Sequence, residues 1–113
     1  MRIAFIGGGV MAQAIISGVK DAGLGASIIV GEPFEVRRTS LVDDLGVDAT
    51  ASNKEAITGA DIIVVAVKPH QLDSVAAELT GVLKSQQTIV SKMAGGKMHS
   101  NGWKHRPTQL TPA

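Results

Sequence analysis

The chain opens Met1-Arg2-Ile3-Ala4-Phe5-Ile6-Gly7-Gly8-Gly9-Val10-Met11-Ala12, and its architecture follows from these residues. Ile3–Ile6 is a short apolar run closed by glycines. It is too short for a helix and reads as a strand buried on both faces. From Val10 the apolar residues take helical spacing: Met11, Ala14 with Ile15, Gly18 with Val19, then Ala22. Gly23 stands where a helix C-cap glycine belongs. The order is strand, glycine turn, helix.

Beyond that helix, Ile28-Ile29-Val30 predicts a second strand, closed by Gly31 and Pro33. Glu35–Leu45 predicts a helix with a polar outer face (Arg37, Arg38, Asp43, Asp44), ended by Gly46. Val47–Ala49 is a brief third strand, and Ser52 with Glu55 at capping-box spacing opens a short helix to about Thr58. Asp61–Val67 is β-branched and apolar throughout, as a central parallel strand should be, and Lys68-Pro69 breaks it. Leu72, Val75 with Ala76, Leu79 and Leu83 repeat at helical spacing, and Thr88–Ser91 is a fifth strand. Strands alternating with helices imply βαβ units with right-handed crossovers. The fold class is therefore α/β, a Rossmann-type doubly wound, mainly parallel sheet in the order 3-2-1-4-5, incomplete at its C-terminal edge.

With 113 residues there is room for one domain, and a 44% apolar content suffices for a core. The net charge of +1 conceals a division. Met1–Ser91 carries seven Lys/Arg against ten Asp/Glu, whereas Lys92–Ala113 carries four Lys/Arg and no carboxylate. That last segment has a single Leu and no Ile, Val or Phe. Residues 96–113 accordingly read as an irregular basic tail behind a dinucleotide-binding domain at 1–95. The absence of cysteine excludes disulfides and thiolate zinc sites. No apolar run approaches the roughly 20 residues of a membrane helix, and no signal peptide is visible, so the expectation is a cytoplasmic protein without a membrane partner. His70, His99 and His105 show no metal-ligand spacing. Trp103-Lys104-His105-Arg106 is better read as solvated tail than as a nucleic-acid patch.

The chemistry lies in the glycine turn. Gly7-Gly8-Gly9-Val10-Met11-Ala12 fits G-x-G-x-x-A, a weak signal alone, strengthened by the strand before it, the helix after it and the second strand about 20 residues on. Gly7 permits the tight turn, Gly9 lets a pyrophosphate approach the backbone, and Ala12 allows close helix packing. The free N–H groups at Val10 and Met11 and the positive helix end attract the diphosphate. At the end of the second strand, Glu32 is placed to bind a ribose 2′-OH, and Arg37 or Arg38 a 2′-phosphate. Having both tilts the reading toward NADP(H), with NAD(H) the alternative. Val67-Lys68-Pro69, at the exit of the fourth strand beside the first, falls near the nicotinamide end.

Several of these motifs together resemble pyrroline-5-carboxylate reductase. They are residues 1–12, Ile16-Ser17-Gly18, Ala60-Asp61-Ile62-Ile63-Val64-Val65-Ala66-Val67-Lys68-Pro69, and Ile89-Val90-Ser91 with Met93-Ala94-Gly95. The A-V-K-P element after a D-I-I strand is more specific than the glycine motif. The resemblance implies an oxidoreductase of proline biosynthesis, in which hydride passes from NADPH or NADH to the C=N carbon of a small imine. It implies that Gly7, Gly9, Val10 and Met11 hold the pyrophosphate and Glu32, Arg37 or Arg38 the adenosine ribose region. Lys68-Pro69 and Ala94-Gly95 would flank the nicotinamide.

The chain departs from the family's pattern at Val10, where the family usually has Asn, and at Lys92, where it has an apolar residue. Likeness ends after Gly95. The family's C-terminal helical domain, which builds its dimer and part of its substrate pocket, has no counterpart here, so the chain reads as a truncated relative. Two functions stay open: an NAD(P)-binding oxidoreductase domain, weak or inactive by itself, or a non-catalytic nucleotide-binding module. An uncovered sheet edge also predicts self-association into a homo-oligomer.

Overall fold

The structure, a computed structural model, describes residues 1–92 and two short strands beyond them, at 98–99 and 109–110. The elements are β1 (Arg2–Ile6), α1 (Val10–Asp21), β2 (Ser27–Gly31), α2 (Glu35–Leu45), β3 (Asp48–Thr50), α3 (Asn53–Ile57), β4 (Ile62–Val65), α4 (Leu72–Leu79) and β5 (Thr88–Lys92). A single 3-10 turn, Pro69–Gln71, leads into α4. The strands form a parallel sheet in the expected order, β3-β2-β1-β4-β5. On the outer edge of β5, β6 (Met98–His99) pairs antiparallel with Ser91 and Lys92, and β7 (Gln109–Leu110) pairs parallel with Thr88 and Ile89. Among the described residues no helix is long and apolar enough to cross a membrane.

The continuous apolar runs of β1 and β4 are explained by a core on each face. Alternate residues point in opposite directions. Ala4, Ile6, Ile63, Val65 and Ile89 join Ala56 and Ile57 of α3 and Val75 and Leu79 of α4. Ile3, Phe5, Ile28, Val30 and Val64 join Ala12 and Ile16 of α1 and Leu41 of α2. Each fully buried Ile, Leu or Phe of these layers contributes about 1.5–3 kcal/mol relative to exposure. The chain winds outward from β1 to β3, then returns to place β4 on the other side of β1. Right-handed crossovers then put α3 and α4 on the opposite face from α1 and α2.

Local signals fix the helix ends. Gly46 adopts φ +65° and its N–H donates to the Val42 carbonyl, ending α2 where expected. The Ser52 hydroxyl accepts from the Glu55 N–H at 3.2 Å and starts α3. The face of α1 is turned by one residue from the spacing-based expectation. Ala12 and Ile16 are fully buried, Ile15 and Val19 partly, while Ala14 and Gly18 are exposed. The cause is the close approach of α1 to the sheet, which puts the small Ala12 innermost.

Candidate functional site

Beyond the carboxyl ends of β1, β2 and β4 lies a cleft of about 290 Å³. The winding reverses between β1 and β4, so their following helices leave on opposite faces and the crevice opens between them. This is where doubly wound folds bind ligands. Register aligns the three strand ends: Ile6 pairs with Gly31 on one side and Val65 on the other.

The three glycines of the turn do different jobs. Gly7 has φ +96°, and a Cβ on it would meet the Ala66 carbonyl oxygen at 2.8 Å and Val67 Cγ1 at 3.2 Å. Its N–H donates to the Gly31 carbonyl at 2.9 Å. Gly8 is packed from the other side, its Cβ position 2.7 Å from Leu41 Cδ1. The Gly8 N–H donates to Glu32 Oε1 at 3.0 Å, and its carbonyl accepts from Gln13 Nε2 at 2.9 Å. Among the described residues, a Cβ on Gly9 would meet nothing within 4 Å. Gly9 faces open space, and it caps α1 with extended backbone and no side chain. The first bond of the helix runs from the Gln13 N–H to the Gly9 carbonyl at 3.0 Å. The N–H groups of Val10, Met11 and Ala12 therefore have no carbonyl within the helix and project from its positive end.

At the end of β2, Glu32 is 2% exposed. Its Oε1 accepts from Gly8 N–H and, at 3.3 Å, from Arg37; its Oε2 accepts from the Phe34 N–H at 3.0 Å. Burial of this carboxylate is compensated by two backbone donors and a cation. Arg37 lies half-exposed on the cleft, its guanidinium 5.8 Å from the centroid of the exposed Phe34 ring. Arg38 turns away, donating to the carbonyls of Glu32 and Pro33, both at 2.9 Å, and does not line the cleft.

At the exit of β4, Val67 is half-buried and Lys68 exposed, both on the cleft wall. The Lys68 N–H donates to Gln71 Oε1 at 3.2 Å, and the Gln71 N–H returns to the Lys68 carbonyl at 2.8 Å, shaping the turn that begins at Pro69. Asn53, at the start of α3, reaches the floor, its amide donating to Glu78 Oε1 at 2.7 Å.

Of the residues expected from sequence, Gly7, Gly9, Glu32, Arg37, Val67 and Lys68 line one cleft. Val10 and Met11 form the first turn of α1 beside it, with the Val10 side chain 85% exposed. Arg38 and Pro69 stand just outside the lining. Ala94 and Gly95 lie outside the described residues. The structure adds Gly8, Phe34, Asn53, Gln71 and Ser74 to the lining. Of these, only Gly8 carries a sequence signal, as the middle glycine of the unbroken run Gly7-Gly8-Gly9.

Residues 2–95 match the family described as NADP oxidoreductase, coenzyme F420-dependent. The chain belongs to that family. Its relatives include the pyrroline-5-carboxylate reductases of Pseudomonas aeruginosa, 39% identical over 95 residues, and of Vibrio alginolyticus, 38% identical over 95 residues. Each match covers 83% of this chain and 35% of the relative. The chain thus spans about a third of the length of the curated relatives it matches. A solved structure of a pyrroline-5-carboxylate reductase from Coxiella burnetii is 28% identical, with a TM-score of 0.81 over 96% of this chain and 41% of that one. The pyrroline carboxylate reductase of Plasmodium falciparum, solved with NADP bound, shares the fold with a TM-score of 0.76 at 22% identity, over 97% of this chain and 40% of that one. The resemblance read from residues 1–12 and from the A-V-K-P element is borne out by these relatives.

Proposed function

We propose that this NADP oxidoreductase family member holds a nicotinamide dinucleotide in the cleft at the ends of β1, β2 and β4, as the cofactor-binding part of a pyrroline-5-carboxylate reductase. The single observation that carries the reading is that Gly9, with open space where its Cβ would be, stands beside the free N–H groups of Val10 and Met11. A pyrophosphate fits there without displacing any side chain. Gly7 shapes that turn.

Arg37 faces the adenosine end, with Arg38 behind it and Glu32 beneath. A half-exposed guanidinium at this end suits a 2′-phosphate, which favours NADP(H) over NAD(H). Val67, Lys68 and Pro69 take the nicotinamide side. When bound, the reduced nicotinamide supplies the hydride that converts the imine of pyrroline-5-carboxylate to proline. The residues of this chain bind, orient and keep the ring at the β4 exit. We place the protein in the cytoplasm; with β6 and β7 paired to the outer edge of β5, the edge expected to drive self-association into a homo-oligomer is in part occupied.

Titrating NADPH and NADH against nicotinamide fluorescence, then adding pyrroline-5-carboxylate and following absorbance, tests this. Binding with turnover is the expected result for the reductase. The second reading is a nucleotide-binding module without catalysis; binding without turnover supports it. No binding of either nucleotide overturns both.

A further inference from the structure

Glu32 has a geometry that a ribose ligand does not need. It is 2% exposed, and the contacts of its carboxylate tie together segments that line the cleft. One carboxylate oxygen accepts from the Gly8 N–H at 3.0 Å and from Arg37 at 3.3 Å, and the other accepts from the Phe34 N–H at 3.0 Å. Its own N–H donates to the Thr50 carbonyl at 2.8 Å, and its carbonyl accepts from Arg38 at 2.9 Å. The glycine turn, the β2–α2 connection and the first turn of α2 therefore meet on one buried charge. Gly8 is 24 residues away in sequence. A Cβ on it would lie 3.1 Å from Glu32 Oε1 and 2.7 Å from Leu41 Cδ1, so a side chain there would crowd the contact.

We infer that Glu32 is a positioning residue: its carboxylate holds the phosphate-binding turn in shape through Gly8 and holds Arg37 at the cleft, and it acts on the dinucleotide through these groups without contacting its ribose. The inference rests on the dinucleotide reading above and deepens it. Backbone donors aimed at an anion bind well only when they are fixed before it arrives. Charge-assisted bonds to Gly8 and Phe34 supply that fixation at both ends of the site. When a ligand phosphate recruits Arg37, the two backbone N–H bonds keep the buried carboxylate satisfied.

The deciding probe is reduced nicotinamide mononucleotide, which carries a phosphate and the nicotinamide but no adenosine ribose. In the full chain, Glu32→Ala is expected to weaken NADPH, NADH and the mononucleotide alike, by about tenfold, as the loss of a charge-assisted hydrogen bond would. Glu32→Gln, which keeps one carbonyl oxygen for Gly8 or Phe34, should restore part of that affinity for all three. If the mononucleotide binds Glu32→Ala as it binds the unmodified chain while the two dinucleotides weaken, Glu32 touches the ribose and the inference is wrong. Undiminished affinity for all three also overturns it. Should Glu32→Ala not fold, the same three-ligand comparison is made with Glu32→Gln, where an equal, smaller loss supports the inference and a loss confined to the dinucleotides overturns it. In the unmodified chain without ligand, the Gly8 amide should exchange slowly with solvent; free exchange means that the tie does not exist. If the unmodified chain binds none of the three, the dinucleotide reading fails, and Gly8 exchange alone then decides whether Glu32 fixes the turn.

Discussion

The carbonyl oxygen of Ala66 lies 2.8 Å from where a Cβ on Gly7 would sit, so the first residue of the glycine turn and the residue that follows β4 pass each other in backbone contact. With φ at +96°, Gly7 also occupies a conformation that side chains rarely adopt. Gly7→Ala therefore brings both strain and a clash with backbone that cannot rotate away. The expected cost is about 2 kcal/mol or more, drawn from a typical total of about 5–15 kcal/mol. Urea unfolding should show a lower midpoint with an unchanged slope. A midpoint equal to that of the parent would mean that β1 and β4 separate at their ends more easily than the pairing of Ile6 with Val65 indicates.

Gly9 gives the opposite expectation two residues away. Its backbone is extended, and nothing lies within 4 Å of its Cβ position. Gly9→Val should leave stability within about 0.5 kcal/mol of the parent, since it touches no packed group. The same side chain would fill the space a pyrophosphate needs. A saturating dinucleotide at 100 times its dissociation constant should stabilise the parent by about 2.7 kcal/mol and the variant by almost nothing. Equal thermal shifts in the two proteins would remove Gly9 from the site.

A buried amide anchors the far side of the sheet. Gln87, 6% exposed, donates through Nε2 to the carbonyls of Ile57 at 2.7 Å and Ala60 at 3.0 Å, and its Oε1 accepts from the Lys84 N–H at 2.9 Å. It joins the end of α3 to the approach to β5. Gln87→Leu keeps the bulk but removes the partner of the Ala60 carbonyl and of the Lys84 N–H, and leaves the Ile57 carbonyl with the Ala60 N–H at 3.1 Å. We expect a loss of about 2–4 kcal/mol, measured by chemical denaturation, with no effect on a ligand at the opposite end of the strands. A loss below about 0.5 kcal/mol would show that water replaces the amide at little cost.

How much of this was legible in the sequence depends on the range over which each feature is determined. Glu35–Leu45 is a helix with the expected bounds because Gly46 ends it locally. β1 and β4 were readable because burial on both faces leaves unbroken apolar runs. The spacing pattern sets the buried face of α1 one residue off because Ala12 and Ala14 look alike in it, whereas the glycine motif, which wants a small residue at Ala12 for close packing, points to the residue that the sheet buries. Asn53 and Ser74 reach the cleft through the packing of α3 and α4, for which no local signal exists. The Glu32 contact with Gly8 depends on strand register, so sequence placed the carboxylate at the right strand end without its partner.

Arg37 and Arg38 are adjacent in sequence, yet the roughly 100° between neighbouring helical positions separates their roles. Arg37 lines the cleft, paired to Glu32 at 3.3 Å and set against the Phe34 ring. Arg38 is spent on the carbonyls of Glu32 and Pro33. Arg37→Ala should weaken NADPH by about tenfold while changing NADH by less than about threefold, because only the former presents a 2′-phosphate to the guanidinium. Its effect on stability should be small, since a half-exposed ion pair contributes about 1 kcal/mol at most. Arg38→Ala should do the reverse, costing about 1 kcal/mol through its two lost hydrogen bonds and leaving the ratio of NADPH to NADH affinity unchanged. Fluorescence titration of both nucleotides against both variants, with denaturation midpoints for each, checks the four expectations together. If Arg38→Ala alters the ratio and Arg37→Ala does not, the 2′-phosphate lies on the outer side of α2 and the adenosine end of the cleft has been misplaced.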